Sequence, residues 1–132
     1  MDAAALNQML EGTLSERLGL RIVEASPDRV VAELEIRDDH RTFGGALHGG
    51  TLMAIADTVG AAATAINLPA GAGTATLESK TNFFAAGRAG KVRAVATPLH
   101  KGRRTQVWQT RVADDSERLL SLTIQTQMVL ER

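Results

Sequence analysis

Cysteine is absent from the 132 residues. That excludes disulfides, thiolate metal sites and cysteine nucleophiles together, and it accords with a reducing compartment. Aromatic residues make up only 3%, too few for a platform on which bases could stack. Neither sign of charge dominates, with 15 basic and 15 acidic residues, so no global field draws in nucleic acid or an anionic membrane. The three histidines, His40, His48 and His100, are scattered without ligand spacing, and no metal is expected. The glycine-rich stretches follow no phosphate-loop pattern. Met1-Asp2-Ala3-Ala4-Ala5 has neither the basic flank nor the apolar block of a signal peptide, which points to a cytoplasmic protein. The longest mostly apolar stretch, Thr51 to Leu68, carries Asp57 near its middle. A carboxylate at a bilayer centre is costly, so the stretch reads as a helix enclosed by protein.

What is present suits one domain spanning residues 1–132, with 44% hydrophobic and 23% charged residues, the balance of an ordinary globular chain. Residues 3–11 read as a short helix, and Thr13-Leu14-Ser15-Glu16 has the spacing of a capping box. Leu20 to Ala25 and Val30 to Ile36, separated by Ser26-Pro27-Asp28, read as a hairpin with one buried face. Residues 37–48 form a polar loop in which His40 is expected at the surface. Thr51 to Ile66 is alanine-rich and free of proline, apolar or small on every face except at Asp57, which predicts a helix. Four strand-like segments follow, Thr74 to Phe84, Lys91 to His100, Thr105 to Ala113 and Arg118 to Leu130, joined by short turns that favour antiparallel neighbours. In the last, Leu120, Leu122, Ile124, Thr126, Met128 and Leu130 face opposite Ser121, Thr123, Gln125 and Gln127. The fold class is therefore α+β: an antiparallel sheet of about six strands wrapped around one long central helix, the hotdog layout. The open face and edges of so small a sheet invite a second copy, giving a dimer or a dimer of dimers.

Asp57 is the most informative residue. A lone acid on an apolar helix has either a structural partner or a catalytic task as a partly desolvated carboxylate. Gly49-Gly50 at the predicted helix start is either an ordinary turn or a place where free N–H groups and the helix dipole receive a developing oxyanion. Donor and carboxylate together suggest acyl transfer to water. Eight positions separate Gly49 from Asp57, about 12 Å along a helix at ~1.5 Å per residue, whereas both must reach one reacting group. Two antiparallel copies meet that demand, with Gly49 of one facing Asp57 of the other.

Leu47-His48-Gly49-Gly50 followed by Ala56-Asp57 resembles the signature of hotdog-fold acyl-CoA thioesterases, of the phenylacetate-degradation, 4-hydroxybenzoyl-CoA and enterobactin-proofreading types. The likeness extends to Gly90-Lys91-Val92-Arg93 and Pro98-Leu99-His100-Lys101-Gly102-Arg103. It implies that Asp57 is nucleophile or general base, that the Gly49 amide polarises the thioester carbonyl, and that His48 either orients the loop or touches substrate, with Gly50 beside it. Three positions depart from the family pattern. Thr42 stands where many relatives have Asn or Gln, Ala61 where some have Ser or Thr, and Phe83 where some have His; Phe83 is a candidate acyl-pocket wall or a core residue. Coenzyme A would enter as part of the substrate, with no separate cofactor. Its phosphates suit Arg103 and Arg104 in the basic turn, which otherwise reads as a solvated hairpin.

Two other readings use the same cleft. A non-catalytic acyl-CoA binder is favoured by the functional groups missing at Thr42 and Ala61. A hydratase acting on enoyl or β-hydroxyacyl thioesters would pair His48 with Asp57 across a dimer.

Overall fold

The computed structural model describes residues 1–131. In chain order the elements are α1 (Ala3–Leu10), α2 (Leu14–Leu18), β1 (Arg21–Ser26), β2 (Arg29–Glu35), a single 3-10 turn (Asp38–His40), α3 (Gly49–Ile66), β3 (Gly73–Phe83), β4 (Lys91–Lys101), β5 (Thr105–Ala113) and β6 (Leu119–Leu130). Every expected strand lies within one residue of its observed bounds. All pairings are antiparallel, in one six-stranded sheet of order β1-β2-β4-β5-β6-β3. The α+β hotdog layout is thus the observed one. β3 crosses from the helix to the far edge, beside β6, rather than pairing with its sequence neighbour β4.

The core lies between α3 and the inner face of the sheet. Ile55, Ala56, Val59 and Ala63 of α3 are sealed against Val30, Ala32 and Leu34 of β2, Val92, Ala94 and Ala96 of β4, and Trp108 of β5. By length and composition α3 could cross a membrane, but half of it is buried inside this fold. It stops where Asn67 turns its side chain back, donating Nδ2–H to Ala63 O at 3.0 Å and Pro27 O at 2.8 Å, two residues before Pro69.

The two sheet edges differ. Asn7 of α1 grips the backbone of β1, donating to Ile22 O (2.8 Å) and accepting from Ile22 N (2.9 Å). β3 forms the opposite edge, eleven residues long and paired on one side only. Its outer row of N–H and C=O groups is a template for another strand.

Several expectations need correction. α3 begins at Gly49, two residues before the predicted start, because His48 caps it. Thr13 does not cap α2; its hydroxyl donates to Leu10 O, while Glu16 accepts the Gly12 amide. His40 is not at the surface. It is 1% exposed, its Nδ1 accepting from Arg37 N (3.0 Å) and its Nε2 meeting Leu18 O at 2.8 Å. Its backbone carbonyl takes both Thr51 Oγ1 (3.0 Å) and His48 N (2.9 Å), so His40 ties α2 to the start of α3. In β6 the alternation left open which face is buried; Ile124, Met128 and Leu130 lie outside. Ser121, Thr123, Gln125 and Gln127 are buried instead. Trp108 sets this orientation, because cross-strand partners share a face and Trp108, fully buried, pairs with Gln125.

Candidate active site

His48 precedes the first turn of α3 in an extended conformation (φ −60°, ψ 135°) and receives Gly50 N–H on its Nδ1 at 2.8 Å. A ring nitrogen here replaces the usual Ser or Asp oxygen of a helix cap. Gly50 was expected to help bind substrate through its backbone; its amide is already spent on His48. The Gly49 N–H, by contrast, meets no acceptor among the described residues. It points out of a helix N-terminus, where the dipole adds partial positive charge. Because Nδ1 accepts, the proton of the neutral imidazole sits on Nε2, and the residue is exposed.

Phe83 comes to the same place from the end of β3. A methyl group added to Gly49 would lie 3.2 Å from Phe83 Cζ, so the ring rests directly against the glycine. It is half exposed, a wall beside the free amide rather than a core residue. Thr42 stays in the preceding loop, accepting Gly44 N at 3.1 Å and bonding Ala46 O through its own amide. Its observed work is to shape that loop.

Asp57 is two turns further along α3. Its carboxylate was expected to be enclosed; it is exposed in the single chain, on a flank of the helix shared with exposed Met53. Among the described residues neither an arginine nor a backbone amide holds it. Two neutral donors do: Thr76 Oγ1 gives its proton to Oδ1 at 2.7 Å, and Gln125 Nε2 reaches the same oxygen at 3.2 Å. Gln127 Nε2 in turn donates to Thr76 Oγ1 at 2.7 Å. Beside Asp57 opens a cavity of about 310 Å³ whose walls are Leu6, Met9 and Leu10 of α1 and Ala61, Ala62 and Ala65 of α3. Ala61 therefore faces open space next to the acid.

Arg103 and Arg104 lie in the turn between β4 and β5, beside Met128 and Val129, and Arg104 O accepts from Val129 N at 2.8 Å. Val129 pairs with Thr74, which lines the Asp57 cavity, so the turn sits at the same end of the sheet. Neither guanidinium is in an ion pair among the described residues. Lys101 is engaged elsewhere, with Asp28 at 2.6 Å. No group of three or more His, Asp or Glu that could hold a metal occurs among the described residues.

The structure thus assembles two clusters: His48, Gly49 and Phe83 at one point of α3, Asp57 with Thr76 and Gln125 at another. A carboxylate and an unengaged helix-start amide are the parts of acyl-transfer chemistry. The thioesterase superfamily model matches residues 44–121, which hold both clusters except the β6 glutamines. The chain belongs to the thioesterase superfamily. It is 33% identical to a 1,4-dihydroxy-2-naphthoyl-CoA hydrolase of Escherichia coli, over 87% of this chain and 85% of that one. It is 34% identical to the proofreading thioesterase EntH of Cronobacter turicensis, over 89% and 86%. A thioesterase of Haemophilus influenzae superposes with a TM-score of 0.94 at 30% identity, covering 99% of this chain and 92% of that one. Thioester hydrolysis is accordingly the activity of this thioesterase.

Gln125, Gln127 and Thr76 were not singled out from sequence. Two signals were present: glutamines on one face of an otherwise apolar-alternating strand, and Gly60 inside a helix of alanines. Glycine costs roughly 0.5–1 kcal/mol there relative to alanine, so it marks a close approach.

Proposed function

We propose that this thioesterase hydrolyses an acyl-CoA, with Asp57 of one copy and the Gly49 amide of a second acting on the same thioester. The observation that carries the reading is the state of the two groups on α3. The Gly49 N–H is unengaged, Asp57 is held by donors on one oxygen, and about 12 Å of helix separates them at ~1.5 Å per residue. A second copy is favoured by the bare β3 edge and by the exposed Met53 and Asp57 flank of α3. Twofold pairing of β3 with its own copy continues the sheet and sets the two central helices antiparallel.

In this reading the Gly49 N–H receives the carbonyl oxygen as it gains charge. The carboxylate either attacks the carbonyl carbon or takes the proton from a water that does. The C–S bond breaks and coenzyme A leaves as its thiolate. In the base route the thiolate takes the proton that Asp57 removed from water; in the nucleophile route a water then hydrolyses the acyl–Asp57 anhydride and supplies that proton. His48 Nε2–H is a second available donor, and Phe83 walls the amide. An apolar acyl group fits the cavity between α1 and α3, whose lining is mostly Leu, Met and Ala. Arg103 and Arg104 are suited to the nucleotide phosphates, and nothing in the reading calls for a metal or a bound cofactor. A cytoplasmic location is part of the same proposal, supported by the lack of cysteine.

The test is a panel of aliphatic and aromatic acyl-CoAs with free thiol detection, alongside Asp57→Ala. Turnover by the wild type and its loss by about 10³-fold or more in the variant are expected. Wild-type turnover by Asp57→Ala would remove the carboxylate from the mechanism. Mixing Asp57→Ala with Gly49→Pro, each inactive alone, should restore activity in mixed dimers by reassembling one intact site. Failure of a verified mixed dimer to do so rejects the shared site.

A further inference from the structure

We propose that Gln125 and Gln127, two buried amides on β6, position Asp57 by tying down its Oδ1, so that Oδ2 alone is presented to the thioester. The proposal rests on the reading that Asp57 performs the chemistry.

Thr76 has one hydroxyl proton. Gln127 Nε2 donates to its Oγ1 at 2.7 Å, so that proton is left for Asp57 Oδ1, also at 2.7 Å. Gln127 Oε1 lies 3.0 Å from Thr74 Oγ1, whose single proton is shared with Met128 O at 2.8 Å. The second arm is Gln125, whose Nε2 lies 3.2 Å from Oδ1 and 3.5 Å from the Asp57 carbonyl. Both of those neighbours are acceptors, which settles the way the amide faces. Both donors converge on Oδ1, and among the described residues no hydrogen bond reaches Oδ2.

Two features that work against stability meet at the Gln125 amide. Its Oε1 is buried without a partner among the described residues, and its seat requires a glycine in mid-helix. A Cβ at Gly60 would lie 2.3 Å from Oε1 and 2.5 Å from Cδ. A glutamine that merely filled space would be replaced at less cost by an apolar residue of similar volume. Holding one carboxylate oxygen, so that a near-attack geometry is already formed before substrate arrives, accounts for both features.

The test compares Thr76→Val, Gln125→Met and Gln127→Met with the conservative Thr76→Ser. Thr76→Val and Gln125→Met should each lower kcat by about 10- to 100-fold with KM changed by no more than about twofold, the loss of one hydrogen bond to a charged group. Gln127→Met should lower kcat less, by about 3- to 10-fold, because Thr76 keeps its proton but loses its direction. Thr76→Ser should recover most of the turnover. A second readout needs no substrate: the carboxyl 13C resonance of Asp57 should move in Thr76→Val and Gln125→Met and stay in Thr76→Ser. Unchanged kcat in the first two variants while Asp57→Ala is inactive overturns the positioning role and leaves the thioesterase reading intact. Were the wild type to hydrolyse no acyl-CoA, that reading would fall. An unmoved resonance in both variants would then reject the positioning as well, and a displaced one would sustain it.

Discussion

Where β2 and β4 meet α3, the inner face of the sheet is Val30, Ala32, Leu34, Val92, Ala94 and Ala96, all at or below 1% exposure. Where β3 and β6 meet the same helix, the inner row is mostly polar: Thr74, Thr76, Thr81, Thr123, Gln125 and Gln127, with Val129 opposite Thr74. Leu120 and Val129 of β6 stay buried, but Ile124, Met128 and Leu130 turn outward and are about two-fifths exposed at 38%, 39% and 43%. The first half is an ordinary core, stabilised by apolar burial. The second gives up part of that stabilisation and gains a set of donors around Asp57. The same division holds at the edges: β1 is closed by Asn7, whereas β3, next to the acid, is bare. One half of this sheet serves the fold and the other half serves the carboxylate.

Substitutions can break or sharpen that contrast. The largest effect is expected in the apolar half, where Leu34→Ala should cost about 2–5 kcal/mol of unfolding free energy in urea. A loss below 1 kcal/mol would mean that the core is not concentrated there. Next is Gly60→Ala at the border between the halves. Alanine favours the helix, but its Cβ collides with the buried Gln125 amide. A net loss of about 1–3 kcal/mol is expected, with kcat falling as Gln125 is displaced; a stabilised, fully active variant would refute the seat. A smaller effect of opposite sign is expected at Thr110, whose buried hydroxyl has no partner. Thr110→Val should be neutral or stabilising by up to about 1 kcal/mol, and a marked drop in Tm would show that the hydroxyl is satisfied after all. The smallest concerns the outer face, where the hydrogen bond from Lys91 Nζ, 2.9 Å from Glu33, holds the Glu33 carboxyl below its ordinary value. A depressed folded-state value stabilises above the unfolded value and is lost as pH falls through it. The small Tm advantage of wild type over Glu33→Gln should therefore be present at pH 7 and shrink as the pH falls below the ordinary carboxylate range.

Much of the fold was legible because strand and helix periods are local. The four strands after α3 have clean alternation and short polar turns, and their bounds fell within one residue. Asp57 and Gly49 stood out for the same reason, one charge in an apolar run and one glycine pair at its start. His40 did not, because a histidine in a polar loop is buried only through partners at Leu18 and Arg37, and Leu18 is 22 residues away in the chain. That the Gly50 amide is engaged was not legible either, because the acceptor is a side chain two residues before it. The glutamines of β6 escaped notice because their partners lie 51 and 68 residues away.

The amino-acid sequence by itself determined the element order, the single long helix, the lone acid upon it and the glycine pair eight residues before it, since each is written in spacing along the chain. Only the tertiary structure decided which face of β6 turns inward, which oxygen of Asp57 is held and which helix-start amide is left free. Alternation along a strand defines two faces but not which is buried. That choice was made by cross-strand pairing with Trp108, a contact between residues that the sequence keeps apart.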